Sequence, residues 1–149
     1  MTTIRAAART DAEALARLSG ELGYPADTLA IGRRLGEISA HHAGAVLVAV
    51  DAQGGVCGFA HARPERSVIT DPFIDLAALV VAETARGAGV GKALLAAVEA
   101  WARQQAFTTI RVRSSVVRER AHQFYLREGY VENKRQAVFL KQLPSRDAT

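Results

Sequence analysis

The sequence has a single cysteine, Cys57, in 149 residues. That excludes an intramolecular disulfide framework and a zinc site built from several cysteines. The four histidines offer no substitute, since His41, His42 and His61 share no metal-ligand spacing and His122 stands alone. No metal is expected. Long hydrophobic runs are also missing. Charged residues interrupt every apolar stretch before it reaches the length of a membrane span. Met1 to Arg5 has no apolar core of the signal-peptide kind. A reducing, cytoplasmic setting without membrane association is the expectation. Lysine is scarce too: only Lys92, Lys134 and Lys141 stand among 19 basic residues. With aromatics at 6% and no lysine-rich run between them, nucleic acid is not an expected partner, even at a pI near 9.7. Repeats, low-complexity tracts and linkers of domain-separating length are absent.

What is present is the balance of a folded soluble protein, 49% hydrophobic and 23% charged. The length suits one domain, expected over residues 1–143 with a frayed tail at 144–149. The net charge of +4 is unevenly placed. Residues 1–75 carry 7 basic and 9 acidic side chains, whereas residues 76–149 carry 12 and 6. Most of the bases are arginine, whose planar fork suits phosphate. A small polyanion bound by the second half fits this distribution.

Hydrophobic periodicity predicts a short strand at Thr2–Ala7 and a helix from a Thr10–Glu13 capping box to about Leu22. A second helix follows over about Thr28–Ser39, then two strands, Ala45–Asp51 and Val56–Arg63, joined at Gln53-Gly54-Gly55. Phe73–Val81 is the longest apolar run and reads as a central strand. Val90, Ala93, Leu94, Ala97, Val98 and Trp101 then form a full helical stripe. A strand at Thr108–Arg113, a helix at Arg118–Glu128 capped by Gly129, and closing strands at Tyr130–Glu132 and Ala137–Lys141 complete the pattern. The expected class is a mixed α/β layer fold of seven strands and about four helices.

Between the central strand and the striped helix lies Arg86-Gly87-Ala88-Gly89-Val90-Gly91-Lys92. Three glycines in five positions let backbone amides converge without Cβ interference. The helix start adds unpaired N–H groups and the positive end of its dipole, so the segment suits phosphate oxygens. A Walker A loop would need glycine at residue 86 and Ser or Thr at 93, but these are Arg86 and Ala93. A dinucleotide fingerprint would need its third glycine at residue 92, which is Lys92, and no acid lies between Ala100 and Arg118.

The remaining pattern, Arg-x-x-Gly-x-Gly at Arg86, Gly89 and Gly91, resembles the acetyl-coenzyme A signature of the GNAT family of N-acetyltransferases. Leu79-Val80-Val81 before it and Lys92-Ala93-Leu94-Leu95 after it are similar to that family as well. So is Ala121-His122-Gln123-Phe124-Tyr125-Leu126-Arg127-Glu128-Gly129-Tyr130, which looks like the family's second motif. From Arg118 to Gly129 the chain is similar to the aminoalkylphosphonate and aminoglycoside 6′-acetyltransferase branch. The resemblance implies a mostly antiparallel sheet whose central strand pair splays apart.

It also implies roles. Arg86, Gly87, Ala88, Gly89, Val90, Gly91 and Lys92 would hold the coenzyme A pyrophosphate, and the main chain of Leu79, Val80 and Val81 would pair with the pantetheine arm. Tyr125 aligns with the tyrosine that donates to the departing sulfur. Asp75 stands where members often carry a carboxylate that takes the amine's proton, while many have a glutamate where this chain has Ala78. Aspartate inside a strand needs a reason. Asp75 is expected to be the base or to bind substrate, or else to be a strand-end acid paired with an arginine such as Arg111. Arg118 replaces a common asparagine and is expected to reach a phosphate or to start its helix. The acceptor pocket would involve Glu21 to Arg34, Tyr24 included. The expected activity is acetyl-CoA-dependent N-acetylation of a small-molecule amine. A protein or peptide N-acetyltransferase and a non-catalytic acyl-CoA-binding module remain the alternatives, and a homodimer stays open as the assembly.

Overall fold

Apolar strand runs and one tight turn, at residues 51–55, build the sheet. In the computed structural model, which describes residues 2–42 and 44–146, the strands are β1 (Thr3–Ala6), β2 (Ala45–Val50), β3 (Val56–Glu65), β4 (Phe73–Val81) and β5 (Ile110–Val112). The helices are α1 (Ala12–Leu22), α2 (Thr28–Ala40), α3 (Val90–Gln104) and α4 (Glu119–Arg127). The strands lie in sequence order, β1 to β4 antiparallel and β5 parallel to β4. The chain forms two compact units, Met1–Arg113 and Ser114–Thr149. The sheet, α1, α2 and α3 belong to the first, and α4 with the residues after it to the second.

In the first unit the two faces of the sheet are covered by different helices. On one face Leu15 and Leu18 of α1 form a buried cluster with Val48, Phe59, Val80 and Ala82, and Ile31 and Leu35 of α2 pack against it. On the other face α3 presses close at Gly58. A Cβ there would stand 2.9 Å from the Val80 carbonyl oxygen and 3.1–3.2 Å from Leu94 and Val90. Only glycine admits that approach. The α3 stripe is buried as its spacing requires, with Val90, Leu94 and Val98 all inside. Cys57 is a buried, apolar-like residue; its thiol lies 3.6 Å from the Ala49 carbonyl, and burial pushes it above the usual thiol range.

The α1 start differs from the expected Thr10–Glu13 capping box. A single helical turn at Arg9–Asp11 precedes α1. The Asp11 carboxylate accepts from the Ala8 amide at 2.7 Å and takes both ends of the Arg5 guanidinium at 2.8 and 2.9 Å. The hydrogen bond from Arg5 holds the Asp11 carboxyl below the usual carboxylate range. A lowered native value means the stabilisation is complete above the unfolded value near pH ~4 and fades as pH falls through the native one. Asp11→Ala is expected to cost about 1–2 kcal/mol at pH 7. Urea unfolding at pH 7 and pH 3 should show the wild-type advantage shrinking in acid; an equal advantage at both would refute the assignment.

The seven-strand expectation is corrected to five. Tyr130–Glu132 and Ala137–Lys141 carry the strand pattern but no ladder hydrogen bonds among the described residues. An apolar alternation creates a strand only where a neighbouring edge accepts it, and alternation alone does not supply one. Val138, Phe139 and Leu140 are instead 78%, 90% and 88% exposed. No helix of the described residues is long and apolar enough to cross a membrane.

Candidate acetyl-CoA site

The β4 strand is paired on both sides for only part of its length. Ile74, Asp75 and Leu76 face Ile110, Arg111 and Val112 of β5, and the pairing with β5 stops there. On the β3 side the ladder continues, Leu79 opposite Ala60, Val80 opposite Phe59 and Val81 opposite Gly58. Ala77 is an extra residue in this ladder, where the register steps between His61 and Ala62. Among the described residues, the other edge of Leu79–Val81 therefore has no strand neighbour. This is the splay that the resemblance implies, and it offers main-chain donors and acceptors to an extended ligand.

The chain leaves β4 through a helical turn at Glu83–Ala85, whose Glu83 amide donates to Glu21 at 2.9 Å. Glu21, read from sequence as part of an acceptor pocket, thus ties the end of α1 to the loop. Arg86 is extended, and Gly87 and Gly89 follow with φ of +84° and +80°, a backbone region that suits glycine. A Cβ at either glycine would meet nothing within 4 Å. The glycines therefore keep open space in front of the loop amides and are not filling a packed interior. Gly89 caps α3, whose first intrahelical bond is Ala93 to Gly89 at 3.0 Å, leaving the amides of Val90, Gly91 and Lys92 without helical partners. The first turn contains no acid. Arg86, Gly87, Ala88 and Lys92 are exposed. Open space, free amides, a helix dipole and two flanking cations suit a pyrophosphate.

Asp75 lies four residues before Leu79 and is completely buried. Oδ1 accepts from Arg111 Nε at 3.2 Å and Nη2 at 3.0 Å. Oδ2 accepts from Arg113 Nη2 at 3.2 Å and has Arg63 Nη2 at 3.4 Å. A carboxylate has about four lone-pair sites, and four guanidinium nitrogens surround this one. Three of those contacts are hydrogen bonds, from Arg111 and Arg113, and the Arg63 approach is an ion pair. The pairing with Arg111 is one of the roles expected of Asp75; Arg63 and Arg113 were not foreseen.

The second unit holds Tyr125 and Arg118. The Tyr125 ring meets Phe124 edge-on at 5.3 Å and Tyr130 at 5.8 Å. Burial pushes its phenol up to about 12, so the proton stays on at neutral pH. Arg118 is exposed and precedes α4, its carbonyl accepting from the His122 amide at 3.1 Å. The His122 ring bonds the Ser115 carbonyl at 2.8 Å, a local structural contact. Tyr24, exposed, stands in the first unit between α1 and α2. Thus the structure joins Leu79–Val81 and Arg86–Lys92 into one continuous strand–loop–helix surface, and places Asp75 on the same strand.

Known proteins are similar to this chain in sequence and in fold. An acetyltransferase (GNAT) domain model matches residues 42–132, a span that runs through both units. The aminoglycoside N(6')-acetyltransferase type 1 of Stenotrophomonas maltophilia is 34% identical over 141 residues, 92% of this chain and 91% of that protein. Aminoglycoside 6'-N-acetyltransferase AAC(6')-Ih of Acinetobacter baumannii shares the fold, with a TM-score of 0.84 at 18% identity over 97% of this chain and 100% of that one. AAC(6')-Iy, solved with a bisubstrate analogue of CoA and acetylneamine, has a TM-score of 0.80 at 26% identity over 96% of this chain and 99% of that chain. The cofactor is acetyl-CoA. The chain belongs to the GNAT family of acetyltransferases, and it is an N-acetyltransferase.

Proposed function

We propose that this enzyme transfers the acetyl group of acetyl-CoA directly to a primary amine of a small molecule. The open edge of Leu79–Val81, running into the glycine loop, carries the reading. Acetyl-CoA supplies an activated acyl group, and the chain supplies grip, orientation and a proton. The main chain of Leu79, Val80 and Val81 pairs with the pantetheine arm, and the loop from Arg86 to Lys92 holds the pyrophosphate. Arg118 adds a cation for the phosphates, and Tyr24 belongs to the acceptor pocket. In the reaction the amine nitrogen bonds to the carbonyl carbon, the carbon–sulfur bond breaks, and the sulfur leaves with the bonding pair. Tyr125 Oη gives the departing sulfur its proton and is restored, through water, by the proton that the newly acylated nitrogen sheds. The acceptor's ammonium proton goes to water before attack, since the Asp75 carboxylate is already engaged by Arg111 and Arg113. Asp75 acts as a positioning residue for its arginines. Both units work as one acetyltransferase domain over residues 1–143.

A cytoplasmic setting is supported by the lone buried cysteine. The exposed Val138-Phe139-Leu140 run supports a homodimer, since an uncovered apolar run of that kind marks an interface. Light scattering under dilution reads it, and a monomer at all concentrations would refute it.

The acceptor class is tested by free thiol released from acetyl-CoA across panels of small amines and peptides. Small amines alone should turn over; peptides alone would make the protein a peptide acetyltransferase. No turnover with tight acetyl-CoA binding would make it a binding module. Tyr125→Phe keeps the ring that meets Phe124 and Tyr130 and removes only the donor. Turnover should fall about 10–100-fold, the low end of acid–base contributions, because a thiolate is already a fair leaving group. The Michaelis constants should change little. A lower melting temperature with activity tracking the unfolded fraction would make Tyr125 a packing residue instead.

A further inference from the structure

Glu83 is exposed, so water could satisfy its amide, yet a carboxylate from another element takes it. Glu21 Oε1 accepts at 2.9 Å across 62 positions of sequence. Ordering a glutamate side chain costs rotamer freedom, and a bond that water could replace returns little of it. What the bond does supply is position. Arg17, one helical turn earlier on the same face of α1, donates from Nη2 to the Val56 carbonyl at 3.2 Å. Val56 begins β3, and its neighbour Cys57 accepts from the Ala82 amide at 2.8 Å. Arg17 and Glu21 therefore hold the start of β3 and the exit of β4, on either side of the bond that joins those two strand ends. Between them Leu18 is fully buried in the core cluster, so α1 is a fixed support. Beyond Glu83, Ala85 packs on the same cluster, and the Arg86 amide is 3.4 Å from the Glu83 carbonyl. The chain then enters Gly87 and Gly89 at positive φ with open space beside both. Among the described residues, the Glu21 bond is the last hydrogen bond to another element before those glycines. The same last turn of α1 holds Tyr24, whose carbonyl accepts from the Ser19 hydroxyl and whose amide donates to the Ser19 carbonyl at 2.9 Å.

We propose that Glu21 is a positioning residue for acetyl-CoA: by fixing the Glu83 amide it sets the direction in which the chain enters Arg86–Gly89, and it couples that loop to the last turn of α1. The inference rests on the reading of Arg86–Lys92 as the pyrophosphate site and adds to it a residue from outside the loop. Glu21 does not touch the cofactor. Its negative charge is unfavourable to a phosphate, so its contribution is the acceptance of one N–H and not its charge. Glutamine, which offers a carbonyl oxygen at the same reach, therefore keeps the function, and alanine loses it. The coupling works in both directions. Acetyl-CoA that favours one arrangement of the loop also changes the surroundings of Gly23 and Tyr24.

The test is an NMR titration of the isotopically labelled full-length protein with acetyl-CoA and with S-acetylpantetheine, the same thioester arm without the pyrophosphate. Glu21→Ala should raise the acetyl-CoA dissociation constant about 3–10-fold, the scale of one hydrogen bond. Glu21→Gln should stay within about twofold of the wild type, because the acceptor oxygen is kept. The dissociation constant of S-acetylpantetheine should be the same in all three proteins. Acetyl-CoA should shift the Gly23 and Tyr24 amide signals in the wild type and in Glu21→Gln, and leave them in place in Glu21→Ala. A merely structural tie would lower the melting temperature and leave both dissociation constants unchanged, and that result overturns the inference. So does equal weakening of both ligands, or a glutamine variant as weak as the alanine one. If Glu21→Ala does not fold, the wild-type spectra decide: Gly23 and Tyr24 signals that ignore acetyl-CoA overturn the inference. No acetyl-CoA binding by the wild type would instead remove the reading of the loop itself.

Discussion

Gly89→Val is expected to abolish the thermal stabilisation that acetyl-CoA confers on this protein. In the wild type a hundredfold excess over the dissociation constant should add about 2.7 kcal/mol, or roughly 5–10 °C at this chain length. Gly89 has φ +80° at the cap of α3, and its Cβ direction points into open space. A side chain there would enter the volume proposed for the pyrophosphate and meets no protein atom within 4 Å of its Cβ. The same φ makes any side chain strained, by about 1–2 kcal/mol, so a lower melting temperature without ligand is expected as well. The two effects are separated by Gly54→Val. Gly54 lies in the β2–β3 turn, has φ +85° and also faces open space. It should show the same strain and keep the full acetyl-CoA shift. A Gly89→Val protein that keeps the shift would remove the loop from the cofactor site.

Asp75→Asn is expected to be the most damaging single-atom exchange in the sheet. It leaves the shape nearly unchanged and removes the charge at the centre of three guanidiniums. Breaking a fully buried pair costs about 3–5 kcal/mol. Here the partners are 38–55% exposed and can regain water, so about 2–3 kcal/mol is expected. That lowers the melting temperature by roughly 4–12 °C. Assayed well below that temperature, the variant should keep the wild-type pH profile of kcat. An unaltered melting temperature together with a kcat loss deepest at low pH would instead make Asp75 the base.

The elements that sequence periodicity can see are those stabilised by their own apolar pattern. The Phe73–Val81 run and the Val90–Trp101 stripe needed no long-range information, and both occur where the pattern puts them. The glycine loop was legible for the same reason, since its chemistry is carried by consecutive residues. The closing strands were not, because Tyr130–Glu132 and Ala137–Lys141 require an edge that alternation does not name. The helix α1 start was misread because its cap is assembled by Arg5 and Asp11, six residues apart across a turn. The arginine cluster depends on strand register, which brings Arg63 and Arg111 opposite Asp75 from 12 and 36 positions away. One sign was available: Arg111 and Arg113 sit two apart in a predicted strand and must share a face.

Mass spectrometry of the products tests the central claim most directly. The protein is incubated with acetyl-CoA and a mixture of small primary amines, and amines and protein are both weighed. The account predicts one added acetyl group on a small amine, with one coenzyme A thiol released for each acetyl transferred. Thiol release without any acetylated small amine, or acetyl groups found only on peptide amines, would contradict it.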